Sequence, residues 1–334
     1  MTQAAALAAY GSNSPSNRNR IINGDMRIDQ RNAGASVTVN DAAKFYPVDR
    51  FFGLGQSADG VFTLQQSSTA PAGFTKSIIA TVTTADASVG ATQQYYISQR
   101  LEGFNTADFA WGTASAVAVT LSFWTRSSLT GTFGGALQND AQDRSYPFTY
   151  TISAADTWEQ KTINIAAITT GTWETTTNSG IRLYFDIGMG STYLGTAGAW
   201  ASADYRGATG QTNIIATSGA TFYITGVQLE VGSVATPFEH RMYGQELALC
   251  QRYYVKDAGE TLPGPYVNAS GAVVGSAYAN WMLPVDMRAA PTCTFATTGM
   301  TSITTRKSNT RAIALLATAT STAYVDSWTA SAEL

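Results

Sequence analysis

Hydrophobic and polar residues alternate along most of this chain. In the stretch AVAVTLSFW, Val119, Leu121 and Phe123 fall on one side of an extended backbone, and alanine, threonine and serine fall on the other. Leu183 and Phe185 repeat the pattern further along. A period of two is the signature of β-strands, and no long stretch shows the 3.6-residue period of a helix.

Eight such phrases, separated by turn residues, occur between residues 21 and 240. They are VFTLQQS, KSIIATVTT, QQYYISQRL, AVAVTLSFWTRS, YPFTYTIS, KTINIAAI, IRLYFDIG and TFYITGVQLEV. Short strands at this spacing predict an antiparallel jelly-roll β-sandwich of two packed sheets. One connection, Gly188–Asn213, is much longer than the usual loop of about four to six residues, which indicates a functional loop.

The pattern changes in the stretch GVQLEVGSVATPFEHRMYGQELALCQRYY. Pro237 cannot donate to a strand ladder and should end the sandwich. Residues 241–252 are predicted to form a short connector helix, with Leu247, Cys250 and Tyr254 on one apolar side. We expect this side to pack one domain onto the next.

The remaining residues, 253–334, are predicted to form a smaller C-terminal β-sandwich. The alanine-rich phrase AIALLATATSTAYV could mimic a helix, but its threonines favour a strand.

Residues 1–20 are predicted to be an N-terminal attachment segment. The phrase AAALAAYG is long enough for only about two helical turns, which are not stable without a surface to dock on. This end lacks the features of a secretory signal. Cys250 and Cys293 lie in apolar surroundings without metal-ligand spacing, as expected of buried thiols. The protein should therefore be made in a reducing cytoplasm.

The composition narrows the classes of partner. Hydrophobic residues make up 44% of the chain and charged residues only 13%, with a formal net charge of −3. A surface without a basic stripe argues against nucleic-acid binding. No apolar run approaches the roughly 20 residues of a membrane span, so no transmembrane helix is expected.

Several phrases carry a resemblance to a known family. INGDMRIDQR, VTLSFWTRSS, TISAADTWEQKTINI, ATFYITGVQLEVGSVATPFEHRMYGQELALCQRYY and PVDMRAAPTCTF together resemble bacteriophage tail fibre and appendage proteins. The first sandwich resembles the jelly rolls of carbohydrate-binding modules. The similarity extends over residues 20–295 and is densest over residues 221–254.

The resemblance implies a non-enzymatic virion structural protein of the tail. It implies a homotrimer made in the host cytoplasm, attached to other tail proteins through its N-terminal segment and contacting the host surface, where a glycan is a candidate ligand. The alternative is a glycan-active depolymerase or its carbohydrate-binding module.

Catalytic motifs are not evident. The single histidine, His240, has no nucleophile motif to act on. Most carboxylates fall in turns, where aspartate is favoured for its local hydrogen bonds. The sequence has no phosphate-binding loop, zinc-ligand spacing or dinucleotide motif. We therefore predict no catalytic residues.

A structural calcium ion is the one cofactor that the sequence leaves open. Carbohydrate-module jelly rolls often hold calcium between their first and last strands, and Asp25 and Glu230 occupy similar places here. Calcium needs six or more oxygen ligands, which two residues do not supply. The alternative is a pair of ordinary polar residues.

Aromatic residues are the candidate carbohydrate contacts, because sugar rings stack on exposed tryptophan and tyrosine. Trp200, Tyr205 and Tyr193 lie in the long loop, and Trp173 lies near a strand end. The alternatives are packing in the core or burial between subunits.

Overall fold

A computed structural model describes residues 17–257 and 275–334 of the chain. Residues 1–16 of the predicted attachment segment lie outside the described residues. The chain divides into two compact units, with the boundary between Arg241 and Met242. Both units are built of β-strands, which confirms the predicted all-β class.

The first unit contains fourteen strands among its described residues. They are β1 Val37–Val39, β2 Phe45–Val48, β3 Phe51–Gly55, β4 Val61–Ser67, β5 Ser77–Thr84, β6 Gln94–Glu102, β7 Val119–Ser127, β8 Gly131–Asn139, β9 Ser145–Ile152, β10 Glu159–Ile165, β11 Ser179–Met189, β12 Leu194–Gly195, β13 Gly207–Ala208 and β14 Thr221–Val231. Short 3₁₀ turns lie at Gly103–Asn105, Ala107–Phe109, Ser191–Tyr193 and Ile214–Ala216.

Two six-stranded antiparallel sheets form the predicted jelly-roll sandwich. The first sheet has the order β1-β4-β5-β14-β7-β10, and the second has the order β2-β3-β6-β11-β8-β9. A small parallel pair, β12-β13, lies within the long loop. Each of the eight predicted strand phrases corresponds to one strand of the sandwich.

Aromatic rings from both sheets fill the space between them. Phe123 of β7 meets Phe185 of β11 edge to face, with ring centroids 5.1 Å apart, and both rings are fully buried. Edge-to-face pairs of this kind add roughly 0.5–1.5 kcal/mol beyond the burial of their area. The alternating residues that predicted the strands are therefore the residues that form the core.

One strand of the sandwich that the sequence does not reveal, β8, is rich in glycine. In β8, Gly135 lies where an added Cβ would be 2.6 Å from a ring carbon of Phe148 and closer still to the carbonyl of Tyr184. Only glycine fits this close approach. The sequence of such a strand does not show the alternation of hydrophobic and polar residues that predicts the other strands.

The first described residues and the last strand of the unit bind each other. The amide of Asn19 donates to the carbonyl of Val227 at 3.0 Å and its oxygen accepts from the N–H of Leu229 at 3.1 Å. The backbone N–H of Asn19 donates to Glu239 at 2.9 Å, and Arg241 donates to the carbonyl of Ile21 at 3.1 Å. The two ends of the unit are thus joined by buried hydrogen bonds.

The second unit begins with the predicted helix. Helix α1 runs from Tyr243 to Gln251, with Cys250 buried and Leu247 half-buried. Among the described residues, no helix is long and apolar enough to span a membrane.

The described strands of the second unit form one antiparallel sheet, whereas the sequence predicts a smaller sandwich. They are β15 Tyr254–Asp257, β16 Gly275–Met282, β17 Thr292–Ser308 and β18 Ala312–Ser331. Strand β18 pairs with the other three.

Two of these strands are longer than their sequence patterns indicate. Gly299, which resembles a turn residue, lies inside β17 at a register shift between Thr298 and Met300. Glycine inside a strand often marks such a bulge. The alanine-rich phrase lies in β18, which confirms its prediction as a strand.

Candidate functional site

Two predicted carbohydrate contacts lie in a tryptophan cluster. Trp173 and Trp200 both meet Trp111 edge to face, with centroid distances of 4.7 and 5.2 Å, and are 5.5 Å from each other. Trp111 is buried, and the other two are half-buried against the core. The three indoles pack against one another at the edge of the sandwich core.

Each indole N–H in this cluster has a backbone acceptor. Trp200 donates to the carbonyl of Ala166 at 2.7 Å, and Trp173 donates to the carbonyl of Thr170 at 3.1 Å. Satisfied donors and edge-to-face packing are the features of structural tryptophans. The structure therefore gives these residues a packing role, and their contact with a ligand stays a prediction.

The third predicted contact, Tyr205, packs against Gly195. A Cβ added to Gly195 would lie 2.7 Å from Cγ of Tyr205, closer still to a second ring carbon, and 2.9 Å from Pro147. The backbone N–H of Tyr205 donates to the hydroxyl of Ser145 at 3.2 Å. Tyr205 thereby helps to fix the long loop on β9.

The fourth predicted contact, Tyr193, leads to a different surface. The guanidinium carbon of Arg206 lies 4.7 Å from the Tyr193 ring centroid and 5.9 Å from that of Tyr184. Arg206 belongs to the long loop and Tyr184 to β11, so this arginine links the loop to the outer face of the second sheet.

On that outer face, bulky side chains occupy the strand positions that do not point into the core. Strand β6 supplies Tyr96 and Arg100, and β11 supplies Arg182 and Tyr184. We name the tyrosine–arginine face by its six side chains, Phe52, Tyr96, Arg100, Arg182, Tyr184 and Arg206. Residues directly opposite on neighbouring strands point to the same side of a sheet, and Arg100 is directly opposite Arg182.

The aromatic rings form the floor of this face. Tyr96 meets Tyr184 edge to face with centroids 5.0 Å apart, and Phe52 lies 6.4 Å from Tyr96. All three rings are at least nine-tenths buried. The half-buried arginines form the layer above them.

Two of the three arginines are held by carboxylates. Arg182 donates from Nε and Nη2 to Asp140 at 3.1 and 2.7 Å. Arg206 makes two parallel bonds with Asp204, from Nε at 2.9 Å and from Nη2 at 2.8 Å. Such two-point pairs fix the position of the guanidinium as well as its charge.

The third arginine, Arg100, has no such partner. Among the described residues, no group accepts a hydrogen bond from its guanidinium, whose nearest aromatic contact is Phe52 at 6.0 Å. Burial and the charge of Arg182 lower the pKa of Arg100. Arg100 is therefore the arginine of this face that forms no ion pair among the described residues, although the charge of Asp140 acts on it from a greater distance.

The hydroxyl of Tyr96 lies among these charges. Burial and the neighbouring Tyr184 raise the pKa of Tyr96, while Arg206, Arg100 and Arg182 oppose the rise. The phenol therefore keeps its proton at neutral pH. It can act as a hydrogen-bond donor toward a ligand.

A buried carboxyl, Asp186, lies next to this face on β11. Its Oδ2 accepts from the amide of Gln211 in the long loop, and its Oδ1 is buried with no hydrogen-bond partner. Burial raises the pKa of Asp186 to about 8. The side chain is enclosed, because Gly207 of the loop lies against its Oδ2.

The two candidate calcium ligands are engaged by protein donors. Asp25 Oδ2 accepts from Arg27, while Oδ1 is buried without a partner. Glu230 accepts from the backbone N–H of Thr236 at 2.8 Å and from Gln228 at 2.9 Å. Within residues 17–257 and 275–334, no three acidic, histidine or cysteine side chains come together as metal ligands.

The single histidine lies in an aromatic group. His240 has ring centroids of Phe74 and Phe238 at 5.3 and 4.9 Å. His240 therefore packs against aromatic residues of the first unit.

Comparison with known proteins gives structural similarity without sequence similarity. No protein-family model matches the chain, and no curated protein matches it. A putative sugar-binding protein from Bacteroides thetaiotaomicron aligns with 64% of this chain and 100% of its own, at 14% identity and a TM-score of 0.37. The family 11 carbohydrate-binding module of Clostridium thermocellum aligns with 61% of this chain and 99% of its own, at 10% identity and a TM-score of 0.30.

A viral protein is also similar. The enzymatically active domain of tailspike protein 4 from bacteriophage CBA120 aligns with 66% of this chain at 12% identity and a TM-score of 0.34. The chain covers 23% of that tailspike chain. Similarity at this level concerns the arrangement of strands, and it identifies no ligand.

Sequence reasoning missed the tyrosine–arginine face, although one signal was present. In QQYYISQRL and IRLYFDIG, bulky residues occupy both phases of the alternation. One phase packs in the core, so the other must cover a second buried layer. The pairing of Arg100 with Arg182 depends on strand register and has no local signal.

Proposed function

We propose that this protein is a glycan-binding structural component of a bacteriophage tail. The tyrosine–arginine face is its contact with host-surface saccharide. The observation that carries the proposal is the layer of arginine guanidinium groups above the buried Tyr96–Tyr184 floor, with Tyr193 half-buried beside it. Ligand sites typically combine an apolar base with a few placed polar donors, and this face has that composition.

The sequence resemblance supports the viral part of the proposal. The tail-fibre-like phrases imply a virion structural protein, a homotrimer and attachment through residues 1–20. On this basis the protein works in the tail of the particle, after synthesis in the host cytoplasm.

A non-catalytic role fits the carboxylates of the face. Asp204 uses both carboxylate oxygens to hold Arg206, and Asp140 uses Oδ1 to hold Arg182. Their arrangement favours a fixed recognition surface.

A glycan-cleaving depolymerase is the second candidate. Asp186 favours it, because a carboxyl with a pKa of about 8 keeps its proton at neutral pH, as a general acid must. The enclosing loop residues weigh against this role, since they separate Asp186 from a substrate.

The first experiment measures binding of the full chain to a panel of acidic and neutral polysaccharides. Tyr193→Ala should weaken binding at least about tenfold by removing a side chain beside the face. Tyr223→Ala, a half-buried tyrosine on the first sheet, is the matched control. Equal losses for both variants, or no binding by the unaltered chain, would contradict the proposal.

Two further measurements separate the parts of the proposal. Light scattering should give three times the chain mass of 35.3 kDa, and antibodies against the chain should label the tail of the particle. Release of reducing ends from a bound polysaccharide, abolished by Asp186→Asn, would favour the depolymerase.

A further inference from the structure

We infer that the tyrosine–arginine face selects an acidic glycan, with the Arg100 guanidinium binding a carboxylate of a uronic acid residue. This inference rests on the proposed function and names the class of its ligand.

The charge balance of the face is the first argument. Arg182 and Arg206 are each neutralised by an aspartate at 2.7 and 2.8 Å. Arg100, on the same face, has no carboxylate partner among the described residues. Its side chain is half-buried, so part of it is accessible to solvent. A guanidinium group that forms no ion pair within the protein can bind an anionic ligand.

The position of Arg100 is the second argument. It is directly opposite Arg182 on the neighbouring strand. Side chains directly opposite on paired strands have Cβ atoms about 4.5–5.5 Å apart, and like charges there are destabilising. The ion pair with Asp140 lowers this repulsion, and an anion bound beside Arg100 would lower it further.

The neighbours of Arg100 complete the site. Phe52 lies 6.0 Å from the guanidinium carbon, within the range of a cation–π contact, which leaves the N–H edge available. The Tyr96 side chain is 4% exposed, and its hydroxyl has no hydrogen-bond partner among the described residues. A planar fork of donors next to a phenol suits a carboxylate oxygen pair.

Aromatic residues beside the charge favour a sugar acid over a simple inorganic anion. Tyr193 and Tyr46 are half-buried at the edges of this layer, and an arginine guanidinium lies over each ring. A sugar ring would contact the parts of these rings that the arginines leave exposed. A uronic acid carries both the ring and the carboxylate.

The test uses three uronate polymers: polygalacturonate, alginate and hyaluronate. Each is compared with the same polymer after chemical reduction of its carboxylates to alcohols. Dextran sulfate and neutral dextran complete the panel. Affinities of the full chain are measured by calorimetry at two salt concentrations, for the unaltered protein, Arg100→Gln and Arg126→Gln. Arg126 is the matched control, since it is a half-buried arginine on the outer side of the first sheet, 5.0 Å from Tyr223.

The expected result is binding of at least one uronate polymer that is lost on carboxyl reduction. Arg100→Gln should weaken this binding at least about tenfold, the usual value of a charge-assisted bidentate contact, and Arg126→Gln should not. Arg100→Lys should restore part of the affinity, because it keeps the charge without the fork. The affinity should fall as salt rises.

Other outcomes overturn the inference in separable ways. Binding only to reduced or neutral polymers would refute the acidic ligand and leave the proposed function standing. Binding to dextran sulfate without any uronate would refute the carboxylate. Equal affinity for the unaltered chain and for a folded Arg100→Gln variant would refute the role of Arg100. Binding to no polymer would contradict the proposed function itself. The comparison of native and reduced polymers needs no variant, so it holds even if a substituted chain fails to fold.

Discussion

Arg206 contacts Tyr193 through both its side chain and its backbone. The guanidinium carbon lies 4.7 Å from the ring centroid, and the Arg206 N–H donates to the Tyr193 carbonyl at 2.9 Å. The same guanidinium binds Asp204 and Gln142. One side chain therefore fixes the two ends of the long loop on the second sheet.

Substitution of Arg206 should release this loop. Arg206→Ala removes the bonds to Asp204 and Gln142 and should lower the free energy of unfolding by about 2 kcal/mol, the scale of charge-assisted hydrogen bonds. Limited proteolysis should then cut within residues 196–210 before the strands. Arg126→Ala is the control. A variant as resistant to protease as the unaltered protein would show that the loop is held by other contacts.

Asp186 should make the stability depend on pH. Its pKa in the folded protein is about 8, against an ordinary value of 3.8. The stabilisation from this proton is fully present below pH 3.8 and is lost as the pH rises through 8, because the folded state must then bury a charge. Asp186→Asn keeps an oxygen for Gln211 and should remove this loss.

Thermal unfolding followed by circular dichroism between pH 5 and 9 measures the effect. The unaltered protein should melt at progressively lower temperature as pH rises, and Asp186→Asn should flatten the curve. Asp156→Asn, at a carboxyl that is 56% exposed, should leave it unchanged. Parallel curves for the unaltered protein and Asp186→Asn would contradict the prediction.

Gly135→Ala should destabilise the sandwich strongly. The added methyl group would lie 2.6 Å from the Phe148 ring and would also meet the backbone of β11, which cannot move away without breaking the sheet. We expect a loss of at least about 3 kcal/mol. Gly90→Ala is the matched control, since its Cβ would meet only the flexible side chain of Gln93. Denaturant titration measures the free energy of unfolding of both variants. Equal values would contradict the close approach at Gly135.

Trp200→Ala should cost stability through the tryptophan cluster. The substitution removes contacts with Trp111, Trp173 and Tyr146 and should lower the free energy of unfolding by about 3 kcal/mol, the lower end of the range for truncated core aromatics. Trp158 has one ring partner among the described residues, Tyr223 at 5.9 Å, so Trp158→Ala should cost less. Equal effects would show that Trp200 contributes no more to the core than Trp158, and would favour its role as a ligand contact.

The sequence predicted the strands whose side chains form the core. In β7 and β11, alternation exists because every second residue must be apolar between two sheets. The sequence could not predict β8. Gly134 and Gly135 are required there because other segments of the same chain approach closely, and glycines show no hydrophobic–polar alternation. In the sequence, Gly299 likewise resembles a turn residue, although it lies at a bulge inside β17.

The candidate site was less predictable, and the reason is also physical. For Trp173 and Trp200 the sequence leaves both a ligand contact and core packing open, because the backbone carbonyls that accept their N–H groups are distant in the sequence or lie in loops. Arg100 and Arg182 come together through the register of strands that are far apart in the chain, and this register is set by the whole sheet.

The hydrogen bonds of Asn19, Val227 and Arg241 bring the two ends of the first unit to one place. The backbone therefore enters and leaves the sandwich at neighbouring positions. A module joined in this way can be inserted at one point of a longer chain, as a side branch that adds almost no length between the residues before and after it. Such a branch could be exchanged between proteins, together with its surface, without changing the spacing of the chain that carries it.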